Sequence, residues 1–196
     1  MGKIFSGLTS TTPEKLLLDA GAFFKNFTVG TDTFEDAVTA GKLLGATQGG
    51  GTFSAIPTIR NIEVDGSKGS TKGLSVIDEW VVTMISNIKE ISEDAIITSL
   101  GAATSEDGPT GYRKITGNAE IILTDYIDNI TWVGRLSGSE IPVIIQVLNA
   151  MSTGGLSLNV AEKAEGVIPI TFAGNYDPDL LEDPPFAIYY PDATVV

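Results

Sequence analysis

The chain has 196 residues, 12 basic and 25 acidic, with a formal charge of −13, no cysteine and no histidine. Without cysteine there are no disulfides, thiolate metal sites or Cys nucleophile; without histidine the usual general base, the Ser-His-Asp triad and most transition-metal sites are excluded. Bulk charge of this sign does not hold a protein to nucleic-acid phosphates or to an anionic membrane surface.

The length fits one domain, since domains run to about 100–200 residues. Only 19% of residues are charged and 42% are hydrophobic, which is too apolar for a disordered chain. Either other copies of the chain cover much of the surface, or a single core absorbs the excess. No run reaches the ~18 consecutive apolar residues of a membrane span. The start, MGKIFSGLTSTTPEK, has one basic residue and no long apolar run, so it does not read as a secretory signal.

In chain order, residues 1–12 read as an N-terminal arm, 13–173 as the folded domain and 174–196 as a C-terminal arm. Thr12-Pro13-Glu14 reads as a helix start. LLLDAGAFFKNF suits a short helix or a strand, and FEDAVTAGKLL (34–44) is helix-like. The glycines of GATQGGGTFS read as allowing turns and close chain approach. Ile59–Asp65 reads as a strand, and DGSKGSTKG (65–73) as the exposed loop tipping a long hairpin. Ser75–Ile91 is the longest β-like run, apolar on both alternation faces around Trp80–Ile85. Ser92-Glu93-Asp94 caps a short helix ending at Gly101. Residues 102–114 read as a polar loop. Ile115–Leu136 reads as a second long strand, bent near Asp128-Asn129. Pro142–Met151, Leu156–Val160 and Ile168–Phe172 alternate as strands, the last two joined by AEKAEG. After Gly174 the chain is acidic and rich in proline, with little regular structure expected.

Chemical motifs fail one by one. From Gly45, GATQGGG puts glycine where a phosphate loop needs Lys. Ser86-Asn87-Ile88-Lys89 has SxxK spacing, but that chemistry needs one turn of helix and this is an alternating strand. Asp177, Asp179, Glu182 and Asp183 lack the central Gly and terminal Glu of a calcium loop. Asp78-Glu79 and Asp125/Asp128 face opposite ways on regular strands, so neither is an acid/base pair. Asn26 and Asn129 sit in glycosylation sequons by pattern only. Trp80 and Trp132 read as core or interface. The expectation is a mainly β protein with no enzymatic site, no cofactor and no metal.

Three runs in this order resemble one family: GATQGGGTFSAIPTIRNIEVDGSKGSTKGLSVIDEW (45–80), DYIDNITWVGRLSGSEIPVIIQVLNAMSTGGLSL (125–158) and EGVIPITFAGNYDPD…PPFAIYYP (165–191). The chain resembles the major tail protein, or tail tube protein, of long-tailed bacteriophages of Gram-positive hosts. The resemblance implies a β-sandwich of two packed sheets with one short flanking α-helix, a long hairpin loop and extended arms. It implies hexameric rings stacked into a tube that conducts the genome into the host. The implied partners are further copies of the chain, the tape-measure, tail-tip and tail-terminator proteins, and phage DNA in transit without specific binding or membrane contact. The implied location is the virion tail, with the host cytoplasm during assembly. The alternative is a tube subunit of a contractile injection device or secretion system, which shares the fold and which a partner sheath protein would distinguish; a surface β-sandwich adhesin or binding module fits less well.

Four strands per subunit, the family pattern, would give 24 in a ring. At ~4.8 Å spacing and ~40° tilt the backbone diameter is about 50 Å, leaving roughly 35–40 Å after side chains. Within that scheme, strand alternation assigns Glu63, Asp65, Glu120, Thr124 and Asp128 to the lumen, where carboxylates repel phosphate. Asp65, Lys68 and Lys72 of the 65–73 loop are assigned to a contact with the next ring.

Overall fold

The computed structural model describes residues 7–192. The protein is mainly β. Its strands are β1 (Ala22–Lys25), β2 (Thr47–Asn61), β3 (Ser75–Ile88), β4 (Ala103–Asp107), β5 (Arg113–Gly117), β6 (Ile127–Gly134), β7 (Val143–Ser152), β8 (Asn159–Ala161), β9 (Ala164–Ala173) and β10 (Phe186–Tyr189). Two α-helices accompany them, α1 (Phe34–Thr39) and α2 (Glu93–Leu100).

One antiparallel sheet runs β1-β6-β7-β9-β3-β2, with β10 beside β7 and β8 beside β9; β4 and β5 form a separate hairpin. β7 is the corner. Most of its length pairs with β6 and β10, but Met151 and Ser152 at its end pair with Ala173 and Phe172 of β9. The two halves fold over each other there, and the core lies between them. Phe23, Ile130 and Val147 come from one half, Val82, Met84, Ile168, Ile170 and Phe172 from the other. Alternation explains which residues go in: Ile168, Ile170 and Phe172 share one face of β9 and all are fully buried. Each such side chain contributes about 1.5–3 kcal/mol by burial.

A third layer covers the far side of β1-β6-β7. Phe24, Thr131 and Gln146 are in register on that face. Residues 26–44, with α1, lie over it and bury Phe24, Phe27 and Ala37 against Val133 and Ile144. Thr33 caps α1 by accepting from the Asp36 N–H. Ser92 caps α2 by accepting from the Ala95 N–H, acids fill the first turn, and Gly101 ends the helix at φ +77°.

Several sequence readings are corrected. β2 starts at Thr47, inside the glycine-rich GATQGGG and well ahead of the strand read from Ile59; Gly49 and Gly50 take positive φ within a register shift between Thr47 and Gly51. β2 ends at Asn61, not at Asp65. The polar loop 102–114 holds the β4–β5 hairpin, held by Lys114–Glu106 and Arg113–Asp107 pairs. The long strand read over 115–136 is broken, because residues 118–126 are irregular with a 3-10 turn at Leu123–Asp125. In the run from Leu156 only Asn159–Ala161 is strand. Thr12–Lys15 is a short 3-10 turn. The C-terminal segment is docked: Pro185 is buried, β10 pairs with β7, and Phe186 packs on Trp80 at 5.3 Å. Residues 1–6 of the N-terminal arm and 193–196 of the C-terminal one lie outside the described residues.

Candidate assembly surfaces

β8-β9-β3-β2 is a run of four neighbouring antiparallel strands. β2 ends the sheet, so one edge of its 15 residues has no strand beside it among the described residues. Its partner β3 is paired on both sides only from Thr83 to Ile88. Beyond that, Tyr176 Oη accepts from the Trp80 N–H at 2.7 Å and the Gly174 N–H donates to the Val82 carbonyl at 3.0 Å.

This sheet buries one face and leaves the other bare. Thr52, Ser54, Ile56 and Thr58 stand opposite Ile85, Thr83, Val81 and Glu79 on that face, and Thr171 lies beside Ile85. Ile56 and Val81 are 59% and 48% exposed. Among these positions only Glu79 is charged, and it accepts from the Thr58 hydroxyl. A long, uncharged, uncovered sheet edge is the feature that pairs with another chain unless something blunts it. Pro57 and Arg60, with the register shifts at Thr47/Gly51 and Thr58/Ile59, are the features of TQGGGTFSAIPTIRN that discourage pairing.

The β2–β3 hairpin ends in residues 62–74, which contain Glu63, Asp65, Lys68 and Lys72, all exposed. Polar bonds shape this loop: Ser67 Oγ donates to the Gly69 carbonyl at 2.7 Å, Asn61 Nδ2 to Ser70 Oγ at 3.0 Å, and the Ile62 N–H to the Leu74 carbonyl at 2.7 Å. Arg60 forks onto Asp78 at its base, with two contacts of 3.0 Å. Lys68 and Lys72 make no ion pair among the described residues. The strand face that was to carry Glu63 and Asp65 is not formed, because both lie past the end of β2.

Glu120, Thr124 and Asp128 are exposed but not brought onto one strand face; only Asp128 lies in a strand. Between them Ile121, Ile122 and Leu123 project, Leu123 at 89% exposure. The Asp125 carboxylate accepts from the Ile122 N–H at 2.8 Å and the Asp125 N–H returns a bond to the Ile122 carbonyl at 3.0 Å, which holds the turn.

The rejected motifs are scattered. Ser86 is buried with its hydroxyl unpartnered, while Lys89, past the end of β3, pairs with Glu165 at 3.4 Å. Asp177 accepts from the Asp179 N–H at 2.9 Å, a local turn. No group of three or more carboxylates placed to hold a metal occurs among the described residues, and no described helix is long and apolar enough to cross a membrane.

Among the described residues three carboxylates titrate low. Asp32 is held below its usual 3.8 by Lys42 and then by the Thr28 N–H. Glu93 is lowered first by the Ser105 hydroxyl and then by Arg113, which ties α2 to the β4–β5 hairpin. Glu165 is lowered by its own backbone N–H and by Lys89. These contacts hold elements together.

Sequence reasoning missed the open β2 edge and the projecting 121–123 turn. The second had a signal: three consecutive large aliphatic residues between Glu120 and Asp125. Compared with described protein families and with curated proteins, the chain matches none of either.

Proposed function

We propose that this chain is a structural subunit of a phage tail tube, self-assembling into six-membered rings that stack around a conduit for DNA. The observation that carries the reading is the four-strand run β8-β9-β3-β2, open along β2 and bare on one face. β2 of one copy lies beside the β8 side of the next, and six copies close a 24-stranded barrel. Closure pairs part of the β2 edge with the 159–161 side of the next copy and so covers an edge that would otherwise aggregate. The bare face then looks into the channel, since the sandwich's other outer face is already covered by residues 26–44.

This reading moves the lining from Glu63, Asp65, Glu120, Thr124 and Asp128 to Thr52, Ser54, Ile56, Thr58, Val81, Thr83, Ile85 and Thr171. A lining of hydroxyls and short aliphatic groups offers phosphate no cation to hold it, and the chain's charge of −13 repels it at longer range. The partners in this role are the tape-measure, tail-tip and terminator proteins, with DNA in transit, and the place of action is the virion. The test is electron microscopy of the purified protein at millimolar concentration with a tail-tip nucleus. Tubes with a channel of roughly 35–40 Å are expected. Monomer persisting under those conditions refutes the reading.

A further inference from the structure

Independently of the tube reading, we infer that the Asp65–Gly66 peptide is a site of spontaneous covalent modification: it converts to an isoaspartyl linkage with water as the only co-reactant, while the fold protects the chain's other Asp–Gly peptide. The conversion needs a carboxyl carbon within reach of the next residue's backbone nitrogen. Glycine in the following position permits this best, because it has no Cβ to crowd the approach and the widest backbone freedom. Asp–Gly occurs twice, at Asp65–Gly66 and Asp107–Gly108, and no asparagine precedes a glycine.

The two sites differ in what holds them. Asp65 and Gly66 are the central residues of a turn closed by the Ser67 N–H, which donates to the Val64 carbonyl at 2.9 Å, with Gly66 at φ +91°. That bond spans the Asp65–Gly66 peptide and leaves the Gly66 N–H outside it. Neither this N–H nor the Asp65 carboxylate has a hydrogen bond or ion pair among the described residues, and both residues are exposed. A Cβ added at Gly66 would meet nothing within 4 Å. At the second site the Gly108 N–H donates to the Tyr112 carbonyl at 3.1 Å, and Asp107 pairs with Arg113 at the end of the β4–β5 ladder. Gly108 is half-buried, and a Cβ added there would meet the Tyr112 carbonyl oxygen at 3.2 Å. Nitrogen and carboxylate are both held, so ring closure must first open that end of the hairpin.

The step balances with water alone. The Gly66 nitrogen attacks Asp65 Cγ; a C–N bond forms, a Cγ–O bond breaks, and the carboxyl hydroxyl leaves with the nitrogen's proton as one water. Water then opens the resulting five-membered imide at either carbonyl. Opening at Cγ restores Asp65. Opening at the Asp65 main-chain carbonyl carbon leaves the chain running through Cγ, with the former main-chain carbonyl as the free carboxylate. The Val64–Ser67 turn gains one backbone carbon while mass and charge stay the same, so the hairpin loop changes shape but not charge.

To test this, the purified chain is held dilute in warm neutral buffer for several weeks and digested with trypsin, which releases 61–68 and 90–113 as separate peptides, each with one Asp–Gly. Peptide 61–68 should divide into two chromatographic forms of identical mass, with a minor form one water lighter as the intermediate. The new form should accept a methyl group from an isoaspartyl carboxyl methyltransferase. Conversion in 90–113 should be slower by about tenfold, the factor that one hydrogen bond at the upper end of its net worth imposes. In guanidinium the two sites should convert at similar rates, because the difference belongs to the fold. Asp65→Glu keeps the charge but would need a six-membered ring, and should remove the second form. An undivided 61–68 peptide, equal rates at both sites in the folded chain, a gap that survives unfolding, or division that persists in Asp65→Glu overturns the assignment, whether or not tubes are seen.

Discussion

Replacing Gln146 by Leu tests what fastens the covering layer to the sandwich. Gln146 is 6% exposed, and its Nε2 donates to the Phe27 carbonyl and to Thr131 Oγ1, both at 2.9 Å. Thr131 in turn donates to Asn129 Oδ1 at 2.7 Å, and that oxygen also accepts from the Phe27 N–H at 2.9 Å. Both backbone polar groups of Phe27 are therefore answered by β6 and β7. Leu keeps the volume and removes both donors. Two neutral hydrogen bonds are worth about 0.5–1.5 kcal/mol each, and a buried carbonyl left without a partner costs about 1–3 kcal/mol. The extra apolar burial of Leu returns about 1 kcal/mol. A net loss of about 1–5 kcal/mol is expected in urea unfolding. Hydrogen exchange should rise locally in residues 24–44, where the Lys25 N–H bonds the Lys42 carbonyl at 2.8 Å and the Leu44 N–H the Phe23 carbonyl at 2.9 Å. Gln146→Glu, which keeps the shape but cannot donate when ionised, should lose more at pH 7. A loss under about 0.5 kcal/mol for Gln146→Leu would refute the network's role.

Three further outcomes are expected. Deleting residues 66–72 should leave the circular dichroism of the monomer unchanged, because the loop is closed by the Asn61–Ser75 and Ile62–Leu74 bonds at its base; under the tube reading it should abolish stacking, and normal tubes would remove Lys68 and Lys72 from the inter-ring contact. Ser92→Ala should cost about 1 kcal/mol of stability in thermal or urea melts through the lost cap on the Ala95 N–H. Asp32 titrates below its usual 3.8 when folded, so its contribution is present above that pH and lost as pH falls through the folded value; Asp32→Asn should make the urea midpoint less sensitive to acidification, and an unchanged pH profile would count against the Lys42 contact.

What the sequence disclosed follows from which signals are local. Ser92, the acids after it and Gly101 specify α2 within ten residues, and the structure places helix and caps there. The alternation of Ile168, Ile170 and Phe172 is legible because one face is wholly buried. The 65–73 loop joins two strands because turn residues separate two extended runs. Other features depend on distant partners. Gly49 and Gly50 form an irregularity inside β2 that only the register with β3 reveals. β10 is a strand because Val147 and Ile144 offer it an edge and Trp80 a ring to pack against. Residues 118–126 look extended by composition, yet Asp125 folds them back on Ile122. Placing Glu120, Thr124 and Asp128 on one strand face counted along a strand that is interrupted over 118–126.

The distribution of charge argues for the same division of surfaces. Many of the acids lie in loops and the C-terminal segment: Glu63 and Asp65 in the hairpin loop, Glu120 in the irregular 118–126 stretch, Asp179, Glu182 and Asp183 near the C-terminus, all exposed. The bare face of β2-β3-β9 has almost none. If that face were merely solvent-exposed, charges there would cost nothing and would blunt the β2 edge, the usual protection of a monomeric β protein. Under the tube reading their absence, on a chain with 25 acids to place, leaves the β2 edge free of the like charges that would keep a neighbour's strand away. Loops at the strand ends can carry the repulsion instead. At ~8–10 Å Debye length their field reaches a good part of the way into a channel of the expected width, so the lining need not be acidic for the conduit to be non-adhesive.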